Sequence, residues 1–221
     1  MFMAHNLGDK TNMELEEELK KALTELRKGK ERKFDQTVDL IVNLQKFNIK
    51  KDTVNVFINL PHKIKNKKIA AFLESKNSGI DTITQEEFKN YSDKKSLKNL
   101  VKKYDFFISQ ASLMPKVATA FGKILGPAGK MPSPQLGIMM NVDSKALEDL
   151  KEKINKSVRV RAKEASIKIP IGKQSMNDKD IIDNIETVYH ALIKALPKQK
   201  ENIKNVEVKF TMTKPQKVKI K

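Results

Sequence analysis

The sequence predicts a mixed α/β (α+β) fold in two domains, one of them discontinuous. Three observations predict it. Alternating, one-side-wet strands and amphipathic helices occupy both ends of the chain. Continuous apolar strands, of the kind buried on both faces, occur only in the middle. The length of 221 residues holds one large or two small domains at roughly 150 residues per domain. Residues 1–62 and 156–221 are therefore expected to build one α+β domain. Residues 63–155 are expected to form an inserted α/β domain with a mostly parallel sheet.

The elements follow in order. Thr11 with Glu14 matches a capping box, and Leu15, Leu19, Ala22, Leu23 and Leu26 recur at helical spacing until Gly29 can end the helix. From Phe34 the period becomes two. Val38, Leu40, Val42 and Leu44 point one way, while Thr37, Asp39 and Asn43 point the other. Val54, Val56, Ile58 and Leu60 repeat the pattern before Pro61. The basic run Lys63–Lys68 reads as a linker. Ile69–Leu73 and Phe106–Ile108 are continuous apolar strands, and Ile80–Ile83 is a weak one. Helices are expected at Ser96–Tyr104, at Ala111–Leu125 despite Pro115, and at Ser144–Ile154, where Asp143 or Ser144 can cap. From Ser157 alternation returns. Val158, Val160 and Ala162 oppose Arg159, Arg161 and Lys163. Ile167, Ile169 and Ile171 oppose Ser166, Lys168 and Gly172, in a hairpin with the previous strand. Asn177 or Asp178 caps a strong helix that Pro197 stops. Val206, Val208, Phe210 and Met212 alternate again, and Val218 with Ile220 closes the chain.

Composition narrows the function. Forty-four basic residues against 27 acidic ones give a net charge of +17, which calls for a polyanionic partner. The excess is uneven: +1 over residues 1–62, +7 over 63–155 and +9 over 156–221. With no cysteine there is no disulfide framework, thiol nucleophile or iron–sulfur cluster. No apolar run approaches the roughly 20 residues that span a bilayer. Met1–Asn12 lacks the pattern of a secretory signal, so a soluble, cytoplasmic protein is expected.

The densest Gly/Pro stretch, Gly122–Gly137, invites a phosphate-loop reading with Lys130. Its spacing does not match: Ile124 and Met131 stand where such a loop needs glycine and a hydroxyl residue. A turn that leaves a helix and presents backbone amides fits better. His5, His62 and His190 show no metal-ligand spacing, and no nucleophile elbow is present. The segment Lys33-Phe34-Asp35-Gln36-Thr37-Val38-Asp39 begins a strand with a ring and small polar groups. Such groups suit RNA, whose 2′-hydroxyls, phosphates and unstacked bases are read together. Phe34 could stack on a base or ribose, but the residues by themselves favour a core aromatic at the strand start, which needs no ligand. Arg159, Arg161, Lys163, Lys168 and Lys173 form a second basic set suited to phosphates.

Four motifs then occur in order. They are Phe34–Asp39, Leu125-Gly126-Pro127-Ala128-Gly129-Lys130-Met131-Pro132, Ile169-Pro170-Ile171-Gly172-Lys173 and Thr211-Met212. Together they resemble the ribosomal protein L-one family, over about Leu15 to Lys219. Asp105-Phe106-Phe107-Ile108 resembles its archaeal branch. The resemblance implies an RNA-binding domain made from both chain ends and a Rossmann-like domain inserted through a two-strand hinge, near Pro61–Lys65 and Lys153–Ser157. It implies a non-enzymatic constituent of the large ribosomal subunit without a cofactor, monomeric when free. Its implied partners are the rRNA stalk, exit-site tRNA and its own messenger RNA, whose translation it would repress. The RNA contacts carried over are Lys33, Phe34, Thr37 and Asp39, then Thr211, Met212 and Thr213, and less directly Lys168, Gly172 and Lys173. Where the family commonly has Glu, Asp39 reaches less far. Where it reads Gly-Pro after Thr-Met, Thr213-Lys214-Pro215 stands, and a family glycine at positive φ would leave Thr213 strained.

Two other classes remain as alternatives. A nucleotide-binding α/β enzyme would use Gly122–Gly137, and a bound nucleotide would stabilise it against heat. A peripheral membrane binder would need a surface helix with Lys/Arg on one face and bulky apolar residues on the other, whereas these helices look core-packing.

Overall fold

The computed structural model describes residues 5–30, 32–49, 51–52, 54–91, 93–140, 143–162 and 164–219. The elements are α1 (His5–Arg27), β1 (Thr37–Leu44), β2 (Asn55–Asn59), β3 (Ile69–Phe72), β4 (Asp81–Ile83), α2 (Lys94–Lys103), β5 (Phe106–Gln110) and α3 (Met114–Ala128), followed by β6 (Ile138–Met139), α4 (Ser144–Lys156), β7 (Ser157–Arg161), β8 (Ser166–Lys173), α5 (Asp178–Ala195), β9 (Ile203–Phe210) and β10 (Gln216–Val218). The fold is mixed α/β, as the pattern predicts. The chain divides into two compact units, Met1–Ile64 with Lys156–Lys221 and Lys65–Asn155.

In the unit made from both ends, β10-β9-β1-β8 form an antiparallel sheet. Alternation along β1 buries Val38, Leu40, Val42 and Leu44 and leaves Thr37, Asp39, Ile41 and Asn43 half-buried on the other face. Ile167, Ile169, Val206, Val208 and Phe210 extend the buried face across β8 and β9. Helices α1 and α5 cover it, through Leu15, Leu19, Leu23 and Leu26 of one and Ile181, Ile185, Val188 and Leu192 of the other. Because one face is covered and the other open, each strand needs only one apolar side.

Three local expectations change. Helix α1 begins at His5, so Thr11 lies inside it and not at its cap. Propagation through Gly8 costs only about 1 kcal/mol, less than the cost of nucleating elsewhere. Strand β7 does not form a ladder with β8. It pairs with β2 in a two-stranded antiparallel ribbon, while β8 pairs with β1. Alternation fixes which face a residue takes but not which strand lies beside it. Asn177 holds the N-cap position of α5 without a side-chain cap bond. Ile220 and Lys163 lie outside the described residues.

In the middle unit, β4-β3-β5-β6 form a parallel sheet. Both faces are covered. Ala70, Phe72 and Phe107 pack with Leu97 and Leu100 of α2 and Val117, Phe121 and Leu125 of α3. Ile69, Ala71 and Ile108 pack with Leu147 and Ile154 of α4. Successive residues of β3 thus enter opposite layers, and the strand must be apolar throughout.

Asn184 is wholly buried beneath the first unit's sheet. Its Oδ1 accepts the His62 amide at 3.0 Å, and its Nδ2 donates to the His62 and Ile171 carbonyls, each at 3.0 Å. Asn184→Ala leaves three backbone groups without these partners and is expected to cost about 2–4 kcal/mol. Urea unfolding measures it; a loss below about 0.5 kcal/mol would deny the tie any weight.

Candidate nucleic-acid interface

Three separated stretches meet at the end of the sheet where β1 begins. Residues 33–37 lead into β1, residues 173–178 follow β8, and residues 211–215 follow β9. Thr37 and Thr211 join the first to the third. The Thr211 amide donates to the Thr37 carbonyl at 3.1 Å, and the Thr37 amide donates to Thr211 Oγ1 at 3.1 Å. Gln36 joins all three. Its side chain has the buried parity of Val38 and Leu40 and is only 2% exposed. Its Oε1 accepts the Met212 amide at 3.1 Å, and its Nε2 donates to Gln174 Oε1 at 3.1 Å. Its carbonyl accepts the Gln174 amide at 2.8 Å.

The stretch after β8 is gripped from two more sides. Asp35 accepts the Ser175 amide at 3.1 Å and the Ser175 hydroxyl at 3.0 Å. From the end of α1, Arg27 donates to the Gln174 and Met176 carbonyls at 2.9 and 3.0 Å and to Asp178 Oδ1 at 2.8 Å. Lys173 turns inward, donating to Thr37 Oγ1 at 3.3 Å and the Asp35 carbonyl at 3.5 Å.

On this braced base stand two large apolar side chains, Phe34 at 51% and Met212 at 57% exposure. Phe34 is therefore no core aromatic. Lys33, Thr211 and Lys214 are exposed around them. The surface offers a ring, a thioether, hydroxyls and cations, fixed in place before any partner arrives.

The structure brings Lys33, Phe34, Thr37, Lys173, Thr211, Met212 and Thr213 together at this end. Asp39 lies one step along the open face, half-buried between Lys209 and Pro170 in register. Burial pushes its carboxyl up from the usual carboxylate range, and the Lys209 ammonium only partly opposes this. Lys168 is exposed but sits opposite Ile41, farther along the sheet.

Gly172 is buried, not on the surface. The register shifts between Val38 and Asp39, which pair with Gly172 and Pro170 and leave Ile171 as the extra residue. Such a bulge on an edge strand accommodates a proline without an N–H, and it reverses the parity of the residues after it. A Cβ on Gly172 would sit 3.2 Å from Ile181 Cγ1 and 3.3 Å from Met176 Sδ, so glycine here permits α5 to pack.

Thr213 is not strained. Among the described residues only Lys46 and Gln199 are non-glycines at positive φ. Its hydroxyl accepts the Phe210 amide at 2.9 Å, and its own amide donates to the Phe210 carbonyl at 3.1 Å. A threonine hydroxyl thus closes the turn where glycine was expected to need freedom. The second basic set also separates: Arg159 and Arg161 lie on the β2–β7 ribbon, Lys168 and Lys173 on β8.

The Gly122–Gly137 stretch is no phosphate cradle. Gly122, Gly126 and Pro127 belong to α3, and Gly129 at φ 71° caps its C-terminus. That end of a helix repels anions. The local amides are turned inward: Gly129 donates to Gly126 O, Lys130 to Leu125 O and Gly137 to Ser133 O. Lys130 donates its amine to the Val101 and Tyr104 carbonyls, each at 2.7 Å, and so closes the end of α2.

Sequence reasoning gave Gln36 and Asp35 no role of their own, and it passed over Arg27. The signal for Gln36 was present: a polar residue at the buried parity of a strand needs partners. Gln36→Leu keeps the volume but strands the Met212 amide. It is expected to cost about 1–3 kcal/mol and to speed hydrogen exchange at Met212. Unchanged exchange there would mean the turn holds without the amide. For Asp39 the raised carboxyl pKa means the folded state binds the proton more tightly. Stability is then lost as pH rises from the ordinary value through the raised one. Asp39→Asn should raise Tm at pH 7 and leave it nearly unchanged at pH 3. A lower Tm at pH 7 would refute this account.

Comparison with known proteins places the chain in a lineage. Residues 26–214 match the model of the ribosomal protein L1p/L10e family. A protein of Nanoarchaeum equitans, named large ribosomal subunit protein uL1, is 36% identical over 197 residues, 84% of this chain and 92% of that protein. The uL1 proteins of Pyrobaculum islandicum and Thermofilum pendens are 36% and 37% identical, covering 89% and 92% of this chain and 90% and 92% of their own lengths.

Proposed function

Because the chain belongs to the ribosomal protein L1p/L10e family, we propose that it is a structural constituent of the large ribosomal subunit that binds the rRNA stalk through the surface at the start of β1. The observation that carries this reading is the pair of exposed apolar side chains, Phe34 and Met212, at 51% and 57% exposure on a base held by Gln36. Exposing them costs the free protein hydrophobic stabilisation, and a partner that covers them recovers it.

The chemistry of the patch suits structured RNA. Phe34 and Met212 offer apolar faces for a ribose or an unstacked base. Thr37 and Thr211 offer hydroxyls to 2′-hydroxyls and base edges. Asp39 repels phosphate but accepts a hydrogen bond from a 2′-hydroxyl or a base amine, which favours sugar and base edges at that point. Lys33, Lys214 and the net charge of +17 supply the salt-sensitive part of the affinity. The function needs no catalytic group: the surface binds, and binding is the activity.

The unit Lys65–Asn155 is the Rossmann-like insertion of this reading. Movement about the hinge carries it toward exit-site tRNA and assists release of deacylated tRNA. The same patch, meeting a similar fold in its own messenger RNA, represses translation. The protein works in the cytoplasm, on the ribosome, and is monomeric when free.

The test is equilibrium binding to the organism's own stalk rRNA fragment against an unrelated folded RNA of equal length, at low and high salt. A preference that survives salt is expected. Weak binding to both, falling together as salt rises, would overturn the reading. Phe34→Ala and Met212→Asp are each expected to weaken stalk binding by roughly ten- to a hundred-fold, as loss of about 1–3 kcal/mol of base stacking implies, with unfolding curves little changed. A folded variant with unchanged affinity would remove that residue from the patch.

A further inference from the structure

Lys67 lies in the middle unit, just before β3, and is half-buried. Two bonds fix it to the end of α4. Its amide donates to Asn155 Oδ1 at 2.8 Å, and its amine donates to the Ile154 carbonyl at 2.7 Å. That carbonyl belongs to the last turn of the helix, where the intrahelical ladder supplies no donor. A cavity of about 400 Å³ opens beside the lysine. Asn66, Lys67, Ser78, Asp81, Lys151 and Asn155 supply its polar wall. Lys151 donates to the Gly79 carbonyl, and Asp81 accepts the Tyr104 hydroxyl at 2.8 Å.

Two further charges act on the Lys67 amine. Asp105 favours its protonated form and Lys65 opposes it, and these two bond each other at 3.2 Å. Desolvation outweighs both and pushes the amine down to about 8. At pH 7.5 such an amine is roughly one-quarter neutral, whereas an ordinary lysine is roughly one-thousandth neutral. Only the neutral form carries a lone pair, so burial makes this amine a nucleophile. The bond to Ile154 does not consume that pair, because one N–H suffices for it. An amide formed at the same nitrogen still has one N–H to give. The fold therefore holds a nucleophile, space for a reagent beside it, and an acceptor that the product can keep.

We propose that Lys67 is a site of N-acylation by a small acyl phosphate that reaches it through this cavity. The amine lone pair attacks the acyl carbon, and a C–N bond forms. The C–O bond to phosphate breaks, inorganic phosphate leaves with that electron pair, and the extra proton on nitrogen passes to water. Lys151, on the same wall, offsets the charge of the phosphate as it approaches. The site is separate from the surface around Phe34 and Met212 and stands whether or not that surface binds RNA.

The experiment treats the full chain with acetyl phosphate for short times between pH 6 and pH 10. Mass spectrometry of peptides gives the acetylation rate at each lysine. At pH 7.5 Lys67 is expected to react about ten-fold faster than the exposed Lys63, since lower basicity offsets part of the gain in neutral amine. Its rate should level off above pH 8, while that of Lys63 keeps rising. In urea the two should react alike, because unfolding removes the burial. Asp105→Asn takes away the carboxylate that favours the ammonium, and should speed Lys67 several-fold at pH 7. The pH profile of the unaltered chain carries the test even where that variant folds poorly. Reaction at Lys67 no faster than at Lys63 overturns the proposal. So does a rate that still climbs beyond pH 9, or a preference that survives in urea.

Discussion

The buried amide of Gln36 is the constraint on which the candidate interface depends. A carboxamide that is 2% exposed cannot bond to water, so each of its polar atoms must find protein. The partners it finds are the backbone at Met212 and the side chain of Gln174, more than 130 residues away in sequence. Satisfying one amide therefore fixes the relative positions of three chain segments. Asp35 and Arg27 add grip from either side, and Thr37 next to Gln36 also meets both distant stretches, at Lys173 and Thr211.

That rigidity matters because the surface above it is small. Phe34 and Met212 are its two large exposed apolar side chains, and in the proposed RNA interface a mobile turn would lose much of their value to ordering entropy on binding. Fixing the turn in advance shifts that cost to folding, where the sheet and the α1–α5 core can bear it. Asp39 fits the same logic. A half-buried carboxylate beside a polar face weakens the free protein, and the proposed RNA interface gives it a use as a hydrogen-bond acceptor.

The middle unit follows a different design. Its parallel sheet is apolar on both faces, and its polar groups close helix ends. Lys130 shows this well. In sequence it sits in a glycine-rich stretch and looks available for phosphate. In three dimensions its amine lies against the carbonyls of Val101 and Tyr104, at an end of a helix where positive charge is favourable. A flexible-looking composition here encodes a helix terminus and a tight turn. Gly137 belongs to that turn, since a Cβ there would come within 2.9 Å of the Ser133 nitrogen.

By itself the sequence determined the periodicities. Period two placed Val38 to Leu44 in the core and Thr37 and Asp39 outside it, and continuous apolar strands marked the doubly covered sheet. It also determined the charge and, through four short motifs, the lineage. What only the tertiary structure decided is what each segment meets. β7 pairs with β2 and not β8, because alternation specifies a face and says nothing of a neighbour. Gly172 points inward because one extra residue at the bulge reverses parity, and the count of residues across a ladder is a property of two strands. Thr213 is unstrained because its own hydroxyl closes the turn, a bond that depends on backbone geometry. Local chemistry is written along the chain; the distances between its parts exist only after long-range pairing has fixed them.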